Sequence, residues 1–574
     1  MPTAAPRARW RLAPPPPPAL DDLGDPLLAR ALAARGLTDA AAARTFLGRG
    51  AGDDNPFRLA DIDRAVTRLR RAVADGERIA VYGDYDADGV TGTAVLTLAL
   101  RAIGGDVIPY LPHREREGYG VHPAALDRLA RHGVRLVVTV DCGVRAAEPI
   151  AHARALGLDV IVTDHHALPD ALPDALAVVN PRRADDGYGF AEFAGVGLAY
   201  KLAQALLRVK SRASARRPAI DETELLDLVA IGTVADVVPL HAENRTLVHA
   251  GLARIRGGAR PGIAALCAAA GIDAGVITAR GVAFGLGPRL NAAGRMADAT
   301  TALDALLAPD DAEAARLAAI LEHHNRERRA ATDVALEAAL ADLAGRTDAP
   351  LLAYASPDVA LGVIGLVAGQ LSQAHYRPAA VFKVEGDWAR ASLRSIPEFS
   401  VIEALDAIAP LLERHGGHDR AGGLTTRAER IPAVCDALGA HAAAALAPLD
   451  LRPALDIDAE VALDDIGDGL FGRLQALEPF GEGNPPPLLL CRDVAVGAKR
   501  LVGERHLKLL LPTWHGTLEA MAFGQGDRLA EVGARVDLVF GLRENVWRGQ
   551  RTIELEVRDF APPGVAALDG DGRR

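Results

Sequence analysis

Short apolar runs and helically spaced apolar positions take turns along the first half of this chain. Arg78-Ile79-Ala80-Val81-Tyr82-Gly83, Leu136-Val137-Val138-Thr139-Val140, Leu158-Asp159-Val160-Ile161-Val162-Thr163 and Ala230-Ile231-Gly232-Thr233-Val234-Ala235 read as buried strands. Between them, Val90 to Ile103, Pro123 to Arg131, Val144 to Leu156 and Gly197 to Leu207 read as helices. The alternation predicts an α/β fold with a doubly wound parallel sheet. Residues 242 to 305 are Gly-rich and read as irregular. Asp310 to Asp342 contains neither Gly nor Pro and predicts one long connecting helix. A second α/β unit follows, with a strand at Leu351 to Ala355, a helix at Val363 to Ala374 and a strand at Ala379 to Phe382. Beyond the Ala-rich helix at 438 to 447 come short β runs: Pro487 to Leu490, His506 to Leu511, Leu518 to Phe523, Val536 to Phe540 and Arg551 to Val557. Short strands between Gly-rich turns predict a small barrel.

The strand-like runs end in acids. Asp84-Tyr85-Asp86-Ala87-Asp88-Gly89 follows the first, Asp141 the second, Asp164-His165-His166 the third and Asp236 the fourth. Open α/β sheets bind ligands at the carboxyl ends of their strands. A single Asp after a strand is ordinarily a helix cap or a turn residue. Four such ends plus a His-His pair are not covered by that explanation. Two like charges ~4 Å apart cost about 4 kcal/mol at an effective dielectric near 20, so the set needs cations. Oxygen ligands with one or two imidazoles suit Mn²⁺ or Mg²⁺. A pair of such ions clamps a phosphoryl group during in-line displacement.

Composition narrows this picture. The 574 residues suffice for ~3 to 4 domains. No apolar run approaches the ~20 residues of a membrane span, and residues 1 to 20, with Arg7, Arg9, Arg11 and then five prolines from Pro14 to Pro18, lack a signal-peptide core. Cys142, Cys267, Cys435 and Cys491 are scattered, which fits a reducing cytosol and predicts a cytoplasmic protein. The net charge of −11 argues against a polyanionic substrate, but bound metals would offset part of it and local charge matters more. Arg208, Lys210, Arg212, Arg216 and Arg217 form a basic stretch that decides little.

At these residues the chain resembles the DHH phosphoesterase superfamily, and within it the branch of single-strand-specific DNA exonucleases. Ile231 to Leu240 is similar to the family's fourth motif, and Gly287 to Met296 to its inter-lobe tract. Ser392-Leu393-Arg394-Ser395 and Gly416-Gly417-His418 are similar to the phosphate-facing parts of the DHHA1 domain. Leu477 to Pro485 is similar to the entry of the family's OB fold. Two departures stand out: Val359-Ala360-Leu361 precedes Gly362 where Trp-His is frequent, and Cys142 follows Asp141 where Asn is frequent.

The resemblance implies metal ligands Asp86, Asp88, Asp141, His165 and Asp236, with Asp141 bridging two ions, Mn²⁺ or Mg²⁺. Asp84 would be a further ligand or stand just behind the ligands. Asp164 would orient the histidines, and His166 would face the scissile phosphate. Ser392 and Arg394, supported by His418, would grip a nucleotide phosphate. Arg114, Arg280, Asn291 and Arg295 would touch the strand. The implied organisation is an N-terminal tail and helical lead-in (1–50), a DHH catalytic domain (51–305), a connecting helix (306–345), a DHHA1 domain (346–450) and an OB-type β-barrel (455–562). In the barrel, Trp514, Phe523 and Trp547 read first as core and second as stacking platforms. The activity implied is 5′→3′ exonuclease action on single-stranded DNA in repair and recombination, releasing 5′-mononucleotides. The partner expected by family analogy is a single-strand-binding protein, and the state expected is a monomer without membrane attachment. Hydrolysis of oligonucleotides or cyclic dinucleotides is the alternative within the superfamily, but such relatives lack the barrel. A non-catalytic replication scaffold is the alternative outside catalysis, but scaffolds of this fold have lost carboxylates that are all present here.

Overall fold

Successive residues of Arg78–Gly83 serve opposite cores. Ile79 and Val81 join one buried cluster, Ala80 and Tyr82 another, so helices must cover both faces of the sheet. A computed structural model describes residues 8–48, 54–213, 218–547 and 550–564. Its described residues divide into two compact units, one of Thr45–Arg328 with Glu478–Pro485, the other of Met1–Arg44, Arg329–Leu477 and Pro486–Arg574.

In the first unit five parallel strands lie in the order Asp106–Tyr110, Arg78–Gly83, Val134–Val140, Asp159–Thr163, Ala177–Val179. Helices Ala87–Ala102 and Gly195–Ala213 pack in the larger core, and Pro123–Arg131 and Ala147–Ala155 in the smaller. Two expectations fail here. Leu226–Ala235 is a helix, buried from Leu226 through Val234, and Asp236 is its C-terminal cap rather than a strand end. A helix buried all round carries no polar stripe, so periodicity cannot tell it from a buried strand. Residues 242 to 305 are mostly helical, as Ala242–Gly258, Pro261–Ala270, Gly287–Met296 and Thr300–Leu306, and Gly251, Gly262 and Gly294 stand at close backbone contacts rather than in loops. A Cβ on Gly251 would lie 2.1 Å from the Leu226 carbonyl oxygen.

The tract Glu478–Pro485, expected at the barrel entry, packs in this first unit. Leu240 N donates to the Glu482 carbonyl (2.7 Å), and Gly483 lies against Pro239. The loop that follows Asp236 is braced this way. The expected connecting helix runs over Asp311–Asp342.

In the second unit a five-stranded sheet has the order Arg414–His418, Ala421–Arg427, Trp388–Arg394, Ala379–Glu385, Leu352–Ser356, parallel only in the last pair. A seven-stranded sheet follows, ordered Ala459–Glu460, Leu489–Ala495, Arg535–Trp547, Gln550–Ala561, Gly516–Ala522, His506–Thr513, Ala498–Val502. Exposed Ala498–Val502 escaped the apolar pattern. Residues 9–12, read as tail, form a strand parallel to Ala454–Ile457, with Trp10 Nε1 donating to Asp559 (2.9 Å). Trp514 is 90% exposed and not core, because it sits on the turn joining two strands, where inward–outward alternation stops. Phe523 is 41% exposed beside Arg543, and the Trp547 side chain lies outside the described residues.

A tight joint beside the acidic cluster is Gly89, where a Cβ would lie 2.5 to 2.7 Å from the backbone O, N and C of Asp84. Backbone cannot retreat as a side-chain tip can. Gly89→Ala should therefore cost at least the ~1 to 3 kcal/mol typical of overpacking, read as a lower urea midpoint. An unchanged midpoint would refute this account of the joint.

Candidate metal centre

Three overlapping sets of side chains bring their ligand atoms within 4.8 Å of one another: Asp84, Asp86 and Asp141; Asp88, His165 and Asp236; and Asp141, His165 and His166. Every ligand proposed from sequence is in this cluster. Asp84 follows the Arg78–Gly83 strand, and Asp86 caps the helix Ala87–Ala102 by accepting from Asp88 N and Gly89 N (3.0 Å each). Asp88 accepts from Gly195 N (2.6 Å) and Val196 N (2.8 Å) at the start of Gly195–Ala213, where the helix dipole favours an anion. Asp141 ends Val134–Val140 in the left-handed region (φ 62°). Gly195 must be glycine there, since its Cβ would stand 2.5 Å from that of Asp141.

The cluster is not self-sufficient. Asp84 Oδ1, Asp141 Oδ1, Asp236 Oδ2 and His165 Nε2 are buried and make no aligned hydrogen bond, although His165 Nε2 stands 3.1 Å from Asp141 Oδ1 and 3.7 Å from Asp236 Oδ2. An orphaned buried oxygen or nitrogen is costly, and four converging on one space are what cations would satisfy. The donor set, carboxylates with neutral imidazole, fits Mn²⁺ or Mg²⁺. Burial, followed by the neighbouring aspartates, holds Asp84, Asp141 and Asp236 well above the usual carboxylate range and pushes Asp88 up to about 7. Burial, with His166 beside it, lowers His165 to about 4, so its ring is neutral as a ligand must be.

Asp164 stands apart from the ligand sets. Burial would raise its carboxyl, but the hydrogen bond from His166 and its charge outweigh that and hold it low. Its Oδ1 meets His166 Nδ1 at 2.8 Å and accepts from His166 N at 3.1 Å, while Oδ2 accepts from Val144 N at 2.9 Å. Nδ1 of His166 is therefore engaged, and it also lies 3.8 Å from Asp141 Oδ1. Three supports escaped the sequence reading. The Tyr119 hydroxyl donates to the Asp141 carbonyl (3.3 Å) and lies 3.2 Å from His166 Nδ1. Asn180 Nδ2 donates to the His166 carbonyl (3.0 Å), and Arg182 Nε to that of His165 (2.8 Å). Only the Gly118-Tyr119-Gly120 turn, with positive φ at both glycines, was a visible signal.

Among the expected strand contacts, Arg114 lies over the Tyr85 ring (5.0 Å), Asn291 Oδ1 accepts from Ala87 N (2.9 Å), and Arg295 lies near enough to Tyr85 to act on it electrostatically. Arg280 sits beyond the other end of Asn291's helix, over Phe284. Arg208 of the basic stretch pairs with Asp54 and Glu222, whereas Arg216 and Arg217 lie outside the described residues. In the second unit Arg394 Nη1 donates to Ser392 Oγ (2.9 Å), and both approach Gly365, where a Cβ would stand 2.9 and 3.0 Å from them. His418 is exposed on the hairpin opposite Ala421. Gly417 is required there, at φ 147° and with its Cβ position 2.4 Å from the Ala421 carbonyl oxygen.

Sheet, converging carboxylates and accessory domains together define a metal-dependent phosphoesterase of the DHH class. The sequence matches the DHH family, N-terminal domain, over residues 78–233, the DHHA1 domain over 348–444 and the RecJ OB domain over 457–559. It is 36% identical to the single-stranded-DNA-specific exonuclease RecJ of Bacillus subtilis, over 96% of this chain and 70% of that one. It is 37% identical to RecJ of Escherichia coli, over 94% and 96%. The crystal structure of Thermus thermophilus RecJ in complex with Mn²⁺ superposes with a TM-score of 0.83 at 32% identity, covering 98% of this chain and 81% of that one. The same protein in complex with Mg²⁺ gives 0.77. The chain belongs to the RecJ family.

The raised carboxylates set the sign of a pH effect in metal-free protein. A carboxyl whose folded value exceeds its unfolded value near ~4 stabilises the fold at low pH and loses that contribution as pH rises through the folded value. Lowered His165 opposes this only between about 4 and 6.5. With EDTA the melting temperature should fall from pH ~6.5 to ~8, and saturating Mn²⁺ should add more at the higher pH. A Mn²⁺ increment that is flat or shrinking with pH would contradict the charge assignment.

Proposed function

We infer that this chain is a 5′→3′ exonuclease on single-stranded DNA that releases 5′-mononucleotides in repair and recombination. The observation that carries the reading is the convergence of five aspartates and two histidines on one space with four orphaned buried atoms. Asp84, Asp86, Asp88, Asp141, His165 and Asp236 would hold two divalent ions, Mn²⁺ or Mg²⁺, with Asp141 shared between them. Bound there, the ions would activate a water for attack on phosphorus and offset charge on the departing 3′ oxygen.

The chain's own residues divide the remaining tasks. Asp164 fixes the His166 ring, which would face the scissile phosphate. In the second unit Arg394 and Ser392 offer a charged donor and a hydroxyl to a terminal 5′-phosphate, a geometry suited to the guanidinium fork. A grip on a terminal 5′-phosphate would favour strands that carry one. Phe523 with Arg543, and Trp514, would give the OB domain stacking faces for the strand. The RecJ OB match over 457–559 favours this reading over other DHH phosphoesterases, and the complete carboxylate set favours it over a scaffold. A single-strand-binding protein as partner, a monomeric state and a cytoplasmic location belong to the same reading. The four free cysteines accord with that location. No helix among the described residues is long and apolar enough to cross a membrane.

The decisive assay is digestion of end-labelled single-stranded, duplex and short oligonucleotides with Mn²⁺ against EDTA; degradation from the 3′ end would overturn the polarity. Asp141→Ala should abolish cleavage yet melt no lower than wild type in EDTA, because it removes a repelled, buried carboxylate. More than a few per cent of residual activity with normal metal content would exclude a shared ligand. A charge-assisted contact is worth about 1.5 to 3 kcal/mol. Arg394→Ala should accordingly cut activity on 5′-phosphorylated strands roughly ten- to a hundred-fold and narrow their advantage over 5′-hydroxyl strands. Equal losses on the two substrates would mean that Arg394 holds another phosphate.

A further inference from the structure

The five-stranded sheet of the second unit buries one face and leaves much of the other open. Ala389, Ala391 and Leu393 of Trp388–Arg394 lie in a hydrophobic cluster with Phe382 and Leu424. Alternate residues point the other way, and the pairing register sets what stands side by side there. His418, Ala421 and Arg394 form one row of that opposite face, and Gly416, Gly423 and Ser392 the next. These two rows contain Ser392, Arg394 and His418, the groups assigned to the phosphate grip. The third row is Arg414, Thr425, Arg390 and Lys383, and the fourth is Arg427, Trp388 and Glu385.

A solvated face of an antiparallel sheet is ordinarily polar, and polarity alone would carry no meaning. The third and fourth rows instead set four cations against one acid, in a chain whose net charge is −11. Arg414 is exposed, and neither it nor Lys383 makes an ion pair among the described residues. Arg390 meets Glu385 at 2.7 Å, but both side chains are more than 40% exposed, so water and salt weaken the pair. The Arg427 guanidinium lies over the half-buried Trp388 ring, 3.8 Å from its centroid, which steadies the fourth cation on this face. Beyond the fourth row the strands end, at a turn that carries Asp387.

We propose that these rows extend the phosphate grip to a 5′-triphosphate end, with Arg390, Arg414 and Lys383 receiving its outer phosphates. Thr425 adds a hydroxyl in the same row, and Arg427 on its Trp388 support closes the far side. The proposal rests on the reading of Ser392 and Arg394 as the grip for a 5′-terminal phosphate, and adds to it the class of end that the face accepts. Two residues along a strand advance ~7 Å, so the third row begins one such step from Ser392. Long Arg and Lys side chains cover that step, and guanidinium forks match phosphate oxygens in pairs. The competing occupant is the backbone of a passing strand. A track for it would need cations continuing past the fourth row, where the sheet stops and Asp387 stands instead.

The test uses the full chain in EDTA, so that binding is read without turnover and no divalent ion sits on the phosphates. One single-stranded sequence, labelled at its 3′ end, carries a 5′-hydroxyl, a 5′-monophosphate or a 5′-triphosphate, and fluorescence anisotropy gives Kd for each. The triphosphate end should bind about five- to fifty-fold tighter than the monophosphate end, an advantage that added salt erodes. Arg390→Gln combined with Arg414→Gln should remove that advantage and leave the monophosphate Kd as in wild type. Arg414→Glu alone, on an exposed side chain that the fold does not need, should reduce it at an unchanged melting temperature. Wild type that binds triphosphate and monophosphate ends alike overturns the proposal, and so does a double variant that keeps the advantage. Equal loss on all three ends also overturns it, since that marks a face following the strand backbone. Equal binding of hydroxyl and monophosphate ends by wild type would instead sink the grip reading, whatever the triphosphate end does.

Discussion

Repulsion among buried carboxylates is the constraint around which the first unit is built. Five aspartates point into one space, and each close pair costs about 4 kcal/mol if both are ionised at ~4 Å. The fold relieves part of this with its own backbone. Asp88 is met by two amides at the start of Gly195–Ala213, and Asp86 by two at the start of Ala87–Ala102. Helix N-termini are the one cheap source of aligned donors in a parallel sheet, and the strand-to-helix crossovers place them at the same edge as the acids. Asp84, Asp141 and Asp236 each keep an unmet oxygen. What the backbone leaves uncompensated is what selects for cations.

Strained backbone also stands at the cluster. Asp141 and Val237 both adopt left-handed backbone, φ 62° and 61°, a conformation costly for any residue with a Cβ and more so for a branched one. One carries a carboxylate of the cluster and the other follows one. Their neighbours are braced: Asp141 by Tyr119 and the close approach of Gly195, the loop after Asp236 by Glu482 and Gly483 packing on Pro239 and Leu240. A tract that reads in sequence as the start of the barrel thus belongs, in its contacts, to the metal centre.

Elements whose burial is one-sided, or whose apolar runs are bounded by turns, were legible in the sequence; elements buried all round were not. Pro123–Arg131 matches its pattern to the residue, and the connecting helix to within one residue of its start, because each keeps a polar face. Leu226–Ala235 has no polar face, and the helices of 242 to 305 are studded with glycines needed for close packing, so both defeated the periodic reading. The acids were legible because charge at the end of an apolar run is conspicuous. Tyr119, Asn180 and Arg182 were not, because a hydrogen bond to another residue's carbonyl leaves no local mark.

His165 and His166 show how far one peptide bond can separate two chemistries. Burial, with His166 next to it, drives His165 down, and its Nε2 is left unmet among the carboxylates. Burial acts on His166 in the same direction, but the hydrogen bond to Asp164 and that residue's charge outweigh it and raise the ring. Both rings reach the cluster, their centroids 4.5 Å apart, but it is Nδ1 of His166 that stands at 2.8 Å from Asp164. A neutral imidazole is what a cation requires, and an imidazole steadied by a carboxylate is what a phosphate-facing group requires. Pairs of like groups whose surroundings push them apart mark divided labour in active sites. Here the division follows from a single buried aspartate that lies outside the ligand set, held in place by Val144 N and by the very ring it orients.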